Sequence, residues 1–156
     1  MAQHLIFKAG QQSFGLPITE TDKIIALENY TPIPDVSSYI VGVQEIDGEV
    51  YAMIDLADRF YSEAHPQPET ADVIMVNWKE TRIGLLVDEV QSVQAYQTED
   101  LMEADEEKVD GLSTSYISAF IQSADGVIPI LDSHRLFAED KAEEMRKLVD
   151  IQKVKV

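Results

Sequence analysis

Four stretches of the chain pair apolar runs across a polar turn, the pattern of β-hairpins. The first runs from Leu5-Ile6-Phe7 through Ala9-Gly10-Gln11-Gln12 to Phe14-Gly15-Leu16-Pro17-Ile18. The second joins Tyr39-Ile40-Val41-Gly42-Val43 to Val50-Tyr51-Ala52-Met53-Ile54 through Asp47-Gly48. Asp-Gly suits a tight hairpin because both residues take positive φ at low cost. The third joins Val73-Ile74-Met75-Val76 to Ile83-Gly84-Leu85-Leu86-Val87 through Lys79-Glu80-Thr81. The fourth joins Ile117–Gln122 to Val127-Ile128-Pro129-Ile130-Leu131 through Asp125-Gly126. Pro129 has no N–H for a ladder, so it is expected on an edge or at a bulge.

Between these hairpins, Thr19 to Leu27 reads as a short helix capped by Thr19 or Thr21. Pro32 and Pro34 mark Tyr30 to Pro34 as a loop. Pro66 and Pro68 make Ser62 to Thr70 the best candidate linker, and Glu103 to Asp110 reads as an acidic loop. From Ala138 to Ile151 the period turns helical, with Met145, Leu148 and Val149 on one face. Glu143 and Lys147 stand as a favourable i,i+4 pair. Acidic Glu139 and Asp140 lead this segment and basic residues follow, which complements the helix dipole.

The hairpins also repeat. Tyr39-Ile40, Asp47-Gly48, Ile54-Asp55 and Arg59-Phe60 are echoed by Tyr116-Ile117, Asp125-Gly126, Leu131-Asp132 and Arg135-Leu136-Phe137. Tyr39 to Asp55 and Tyr116 to Asp132 span the same interval. Leu5-Ile6-Phe7 matches Ile74-Met75-Val76, and Phe14-Gly15-Leu16 matches Ile83-Gly84-Leu85. Two related β units are therefore expected. Closing each into a small barrel would remove exposed strand edges, and the seam between two barrels is a natural place to bind something.

The 156 residues are 45% apolar, enough for a real core, and 26% charged, so wholesale disorder is not expected. The net charge of −17 and pI near 4.3 disfavour nucleic acid and anionic membrane surfaces as partners. With no cysteine, disulfides, thiolate metal sites and cysteine nucleophiles are excluded. No secretory signal or membrane-spanning apolar stretch is read, so a cytoplasmic location is expected.

Catalytic patterns are weak. His4, His65 and His134 are far apart and form no metal-ligand motif. Ser133 and His134 are adjacent without a nucleophile elbow. Asp55 and Asp132 could act as paired carboxylates, but their repeat-equivalent places point to equivalent capping of the short helices that follow. The acidic run Asp105 to Gly111 lacks the ligand pattern of a calcium loop, and no glycine-rich phosphate cradle is present. No metal, no cofactor and no enzymatic activity are expected.

The segment Tyr39 to Leu56 resembles the signature of CheW-like domains, in which a strand ending in Asn-Leu-Arg-Gly turns into one ending in Ile-Asp-Leu. Ile83-Gly84-Leu85-Leu86-Val87-Asp88-Glu89-Val90 is similar to that family's Gly-x-x-Val-Asp-x-Val segment. The fourth hairpin resembles its last strand pair. The likeness runs in order over residues 3–138. It implies a mainly β fold of two pseudo-symmetric five-stranded barrels within residues 1–140, dividing near 62–70, with short helices and a C-terminal helix and tail over 141–156.

The implied function is a non-catalytic scaffold in bacterial chemotaxis signal transduction. Its partners would be the coiled-coil tip of methyl-accepting chemoreceptors and the regulatory domain of a CheA-type histidine kinase. It would be cytoplasmic, recruited to receptor arrays without entering the membrane. Carried over by position, the receptor-side groove comprises Thr21, Lys23, Gly42, Asp47, Gly48, Gly84, Val90 and Val93. Kinase contact is expected from exposed apolar residues at barrel ends, with Tyr39, Ile40, Met53 and Phe120 as candidates. Two charges depart from the family pattern together: Asp47 replaces its Arg, and Lys23 stands where Glu is frequent. Such a swap keeps an attraction while reversing it, so the two residues are expected to face each other. Asp47 is also a favoured residue for an Asp-Gly turn, and both readings stand. The alternatives are an adaptor of a paralogous kinase pathway, such as surface or pilus motility, and, in a different class, a small-ligand-binding barrel or hydrolase.

Overall fold

The computed structural model describes residues 2–66, 68–78, 81–103, 116–123, 126–136 and 143–149. All four hairpins form. Strands β1 (Ala2–Ala9) and β2 (Gln12–Pro17) pair through a turn in which Gly10 and Gln11 both have positive φ. Strands β4 (Ile40–Ile46) and β5 (Glu49–Asp55) do the same through Asp47 and Gly48, at φ 53° and 83°. These are the turns whose twist suits a two-residue hairpin. Strands β6 (Asp72–Trp78) and β7 (Thr81–Val87) form the third hairpin, and β10 (Ile117–Ser123) and β11 (Gly126–Leu131) the fourth. The expected turn residues Lys79, Glu80 and Asp125 lie outside the described residues, as does the acidic run 105–111.

The expected helix from Thr19 to Leu27 is not there. A single 3₁₀ turn, Ile18–Glu20, is closed by Thr21, whose N–H and hydroxyl both donate to the Ile18 carbonyl, the hydroxyl at 2.8 Å. Thr21 thus ends the turn instead of starting a helix. The β-branched pair Ile24-Ile25 then enters strand β3 (Ile24–Ala26), which pairs with β6. Strand β8 (Glu89–Tyr96) pairs with β1, and the short β9 (Leu101–Glu103) pairs with β10.

Two sheets result, ordered β8-β1-β2-β11-β10-β9 and β3-β6-β7-β5-β4. The chain leaves the first sheet after β2, builds the whole second sheet, and returns at β8. Residues 62–70, expected from their prolines to separate two units, instead lead from β5 and helix α1 (Leu56–Tyr61) to β6 within one sheet. Prolines mark a break in local structure, whereas sheet membership is set by distant strand pairing. Pro129 is likewise not on an edge: β11 lies between β2 and β10. Its missing N–H is tolerated because the ladder to β2 is a single parallel pair, Ile130 with Gly15.

The duplication is physical. The order β8-β1-β2-β11-β10 in one sheet corresponds to β3-β6-β7-β5-β4 in the other. Both β4 and β10 carry a register shift after their first residue, between Ile40 and Gly42 and between Ile117 and Ala119. The Asp55 N–H donates to the Tyr39 carbonyl and the Asp132 N–H to the Tyr116 carbonyl, each at 2.7 Å. Gly84 meets Met53 across the parallel β5–β7 contact as Gly15 meets Ile130. A Cβ on Gly84 would stand 2.7 Å from Met53 Sδ, and one on Gly15 2.5 Å from Ile130 Cδ1.

One apolar core joins the sheets. Leu5, Phe7, Phe14 and Leu16 of the first pack with Ile54, Ile74, Val76, Ile83, Leu85 and Val87 of the second. A separate cluster, including Tyr51, Met53, Val73, Met75 and Leu86, fills the second sheet's other face. Helix α2, at 143–149, closes the shared core with Met145, Val149 and, partly, Leu148, the three residues expected on its inner face. Ser37 fastens it, donating from its N–H and hydroxyl to the two carboxylate oxygens of Glu144 at 2.9 Å.

Candidate protein-interaction site

The second sheet curls until its two edge strands approach, and the residues after β3 bridge them. Thr31 makes a two-way backbone pair with Val43 of β4, and the Glu28 N–H donates to the Gln44 side chain. Gly42 makes the crossing feasible: a Cβ there would overlap the Thr31 carbonyl oxygen. Beyond the bridge the edges stay apart, leaving a small hollow lined by Ile25, Ala26, Glu28, Gln44, Glu45 and Ile46.

At the end of this gap Lys23, just before β3, reaches Asp47, just after β4. Lys23 Nζ lies 2.6 Å from Asp47 Oδ2, so the two residues do face each other as expected. Asp47 is also the first turn residue of its hairpin. Both side chains are well exposed, which limits what the contact can add to stability. Their hydrogen bond lowers the Asp47 pKa and raises that of Lys23, so both remain charged near neutrality.

The other expected groove residues divide between the sheets. Thr21 lies on the segment leading to Lys23, and Gly48 shares the Asp47 turn. Gly42 and Gly84 are buried and act through backbone approach and packing room. Val90 and Val93 lie on β8 of the first sheet. Val90 is half-buried against the shared core, its N–H donating to Asp72 at 2.9 Å, whereas Val93 is 52% exposed.

Among the four candidate kinase contacts, Ile40 and Met53 are buried, at 4% and 0% exposure, so they cannot serve as exposed contacts. Ile40 belongs to the shared core and Met53 to the second sheet's inner cluster. Tyr39 is half-buried against the core, and Phe120 is half-buried opposite Met102. Missed from the sequence was Ile24, 45% exposed beside Lys23, because its segment read as helical.

Asp88, in the Val-Asp-x-Val-like segment, ties the units together. It accepts from the Gln11 N–H at 3.1 Å, donates its own N–H to Lys8, and stands 3.4 Å from His65 Nε2. Asp55 and Asp132 are caps, as their repeat positions indicated: Asp55 accepts from the Asp58 N–H and Asp132 from the His134 N–H. Ser133 is buried, with its hydroxyl and N–H bound to Glu20. Among the described residues no cluster of three or more His, Cys, Asp or Glu could hold a metal, and no helix is long and apolar enough to cross a membrane.

The family model for the CheW-like domain matches residues 3–141. The chain is 23% identical to a chemotaxis protein CheW of Treponema pallidum over 154 residues, covering 96% of this chain and 88% of the relative. To a chemotaxis protein CheW of Klebsiella aerogenes it is 26% identical, covering 97% and 89%. Protein PilI of Pseudomonas aeruginosa is 27% identical over a shorter stretch, 62% of this chain and 54% of that one. Among solved structures, the scaffolding protein TtCheW of Thermoanaerobacter tengcongensis superposes with a TM-score of 0.78 at 22% identity, covering 90% of each chain.

Proposed function

The chain belongs to the CheW-like domain family, and on that premise we propose that it is a non-catalytic adaptor of bacterial chemotaxis signalling. It couples methyl-accepting chemoreceptors to a CheA-type histidine kinase. The observation that carries this reading is the family match over residues 3–141, on a fold shared with a scaffolding protein over 90% of its length. An adaptor of this kind works by mutual positioning. A receptor's conformational bias shifts the kinase's active population only if both partners are held in one assembly. Each contact can be modest, because many copies in an array add avidity.

The receptor-facing surface is read as the Lys23–Asp47 edge with Thr21, Gly48 and exposed Val93. An apolar stripe on a receptor helix would lie against Val93 while charged flanks meet the ion pair. Of the kinase-contact candidates, Tyr39 and Phe120 remain accessible. Co-sedimentation with receptor cytoplasmic fragments, with and without the kinase, tests the reading. The protein is expected to pellet with receptor alone and to bring more kinase with it. Binding to neither partner would overturn it.

A second reading keeps the mechanism and changes the pathway. The reversed pair, Lys23 with Asp47, supports a paralogous kinase system with its own matched receptors. Measured affinities for receptor tips from separate pathways, favouring one outside the main chemotaxis set, would decide for it.

A further inference from the structure

The chain crosses from the second sheet back to the first at a single residue. Strand β7 ends at Val87 in the second sheet and β8 starts at Glu89 in the first, so Asp88 alone connects them. The other crossing, from β2 to β3, is longer and runs from Ile18 to Lys23. A one-residue connection leaves two soft backbone dihedrals to set how the sheets turn about it.

Asp88 is held from both sides. Its N–H donates to the Lys8 carbonyl of β1 at 2.8 Å. Its Oδ2 accepts from the Gln11 N–H at 3.1 Å, in the β1–β2 turn of the first sheet. Its Oδ1 stands 3.4 Å from Nε2 of His65, in the segment that leads from α1 to β6 of the second. His65 is buried, and its own N–H donates to Asp55 at the end of β5, at 2.7 Å. One carboxylate thus joins a turn of the first sheet to a strand end of the second. Beside the crossing, Asp72 of β6 accepts from the Val90 N–H of β8 at 2.9 Å. A cavity of about 680 Å³ opens next to this brace, with Gln11, Tyr61, His65 and Asp88 in its wall.

The shared core draws the sheets together, but apolar attraction is non-directional. The angle between the units falls to directed bonds. Arg59, donating to the Leu136 carbonyl at 2.8 Å, ties them at a second place. With the Asp88 brace gone, the units are left to turn about that tie. The receptor-facing edge joins Lys23 and Asp47 of the second unit to Val93 of the first, and the accessible kinase-contact candidates, Tyr39 and Phe120, divide the same way.

We infer that Asp88 is a positioning residue: by bracing the one-residue crossing it fixes the angle between the two units, and with it the spacing between the two halves of each partner-facing surface. The consequence for signalling rests on the adaptor reading; the brace itself does not.

The chain has no cysteine, so one spin label per unit is placed through Gln12→Cys and Glu45→Cys, both at exposed positions. The distance between the labels reports the angle. Asp88→Ala is expected to broaden or shift the distance distribution. Asp132→Ala, a cap lost within the first unit, controls for general loosening and is expected to leave it unchanged. A distribution in Asp88→Ala with the parent's width and centre, or the same broadening in both variants, overturns the inference. In the reconstituted receptor–kinase assembly, Asp88→Ala is expected to lower receptor control of the kinase severalfold while the kinase still co-sediments. Full receptor control despite an altered distribution overturns the positioning role. If the parent itself shows no receptor control, the adaptor reading fails and the distances still decide the brace. Should Asp88→Ala not fold, Asp88→Asn, which loses the carboxylate but keeps an acceptor for Gln11, takes its place with the same readings.

Discussion

Asp55 and Asp132 hold the same place in the two halves but carry different loads, so replacing each by alanine measures the duplication against burial. Asp55 is 1% exposed and does two jobs. Its Oδ1 accepts from the Asp58 N–H at 3.3 Å to cap α1, and its Oδ2 accepts from the buried His65 N–H at 2.7 Å. Loss of a cap costs about 1 kcal/mol. Leaving a buried N–H without a partner adds about 1–3 kcal/mol. Asp55→Ala is therefore expected to lose about 2–4 kcal/mol. Asp132 is partly exposed and accepts from the His134 N–H at 2.9 Å, with Arg135 alongside at the same distance. Water can replace it, so Asp132→Ala is expected to lose about 1 kcal/mol. Asp55→Asn keeps an acceptor of the same shape and should fall between Asp55→Ala and the parent. Urea unfolding at neutral pH, followed by far-ultraviolet circular dichroism, gives the three values. A loss for Asp55→Ala no larger than that for Asp132→Ala would refute the assigned role.

Three further outcomes follow from the same geometry. Reversing Lys23 or Asp47 singly is expected to impair receptor-controlled kinase activity, and reversing both should partly restore it; additive damage in a double-mutant cycle would argue against direct pairing in function. Gly42→Ala should destabilise by at least about 2 kcal/mol in urea unfolding, because a Cβ overlaps the Thr31 carbonyl and φ is 153°. His4, with a folded pKa below its ordinary 6.5, binds fewer protons folded than unfolded, so stability should fall as pH drops below about 6.5 toward the folded pKa; His4→Leu should remove that part of the slope in melting temperature against pH.

The hairpins were legible because their signals are local. Asp47-Gly48 and Gly10-Gln11 supply the positive φ that a tight turn needs, and apolar runs flank them. The repeat was legible because Tyr39 and Tyr116, like Asp55 and Asp132, are held by the same backbone bonds in both halves. Sheet membership was not legible, since β2–β11 and β5–β7 are parallel contacts between strands distant in sequence. The segment 19–27 misled because short apolar runs do not separate helix from strand, and only β6 decides that Ile24-Ile25 is extended. Ile40 and Met53 misled for a related reason. The shift between Ile40 and Gly42 breaks simple alternation, so which side chains of that hairpin face inward is fixed by the bulge. Lys23 and Asp47 were paired correctly because two charges had changed sign together, a signal that requires no knowledge of the fold.

Reconstitution of receptor cytoplasmic fragments and a CheA-type kinase, with and without this protein, is the most direct test of the adaptor function. The quantity to measure is receptor-dependent kinase autophosphorylation. An adaptor predicts that adding the protein brings the kinase under receptor control, and that Lys23→Glu weakens this effect without unfolding the chain. Kinase activity that is the same with and without the protein, across receptors from chemotaxis and paralogous pathways, would contradict it.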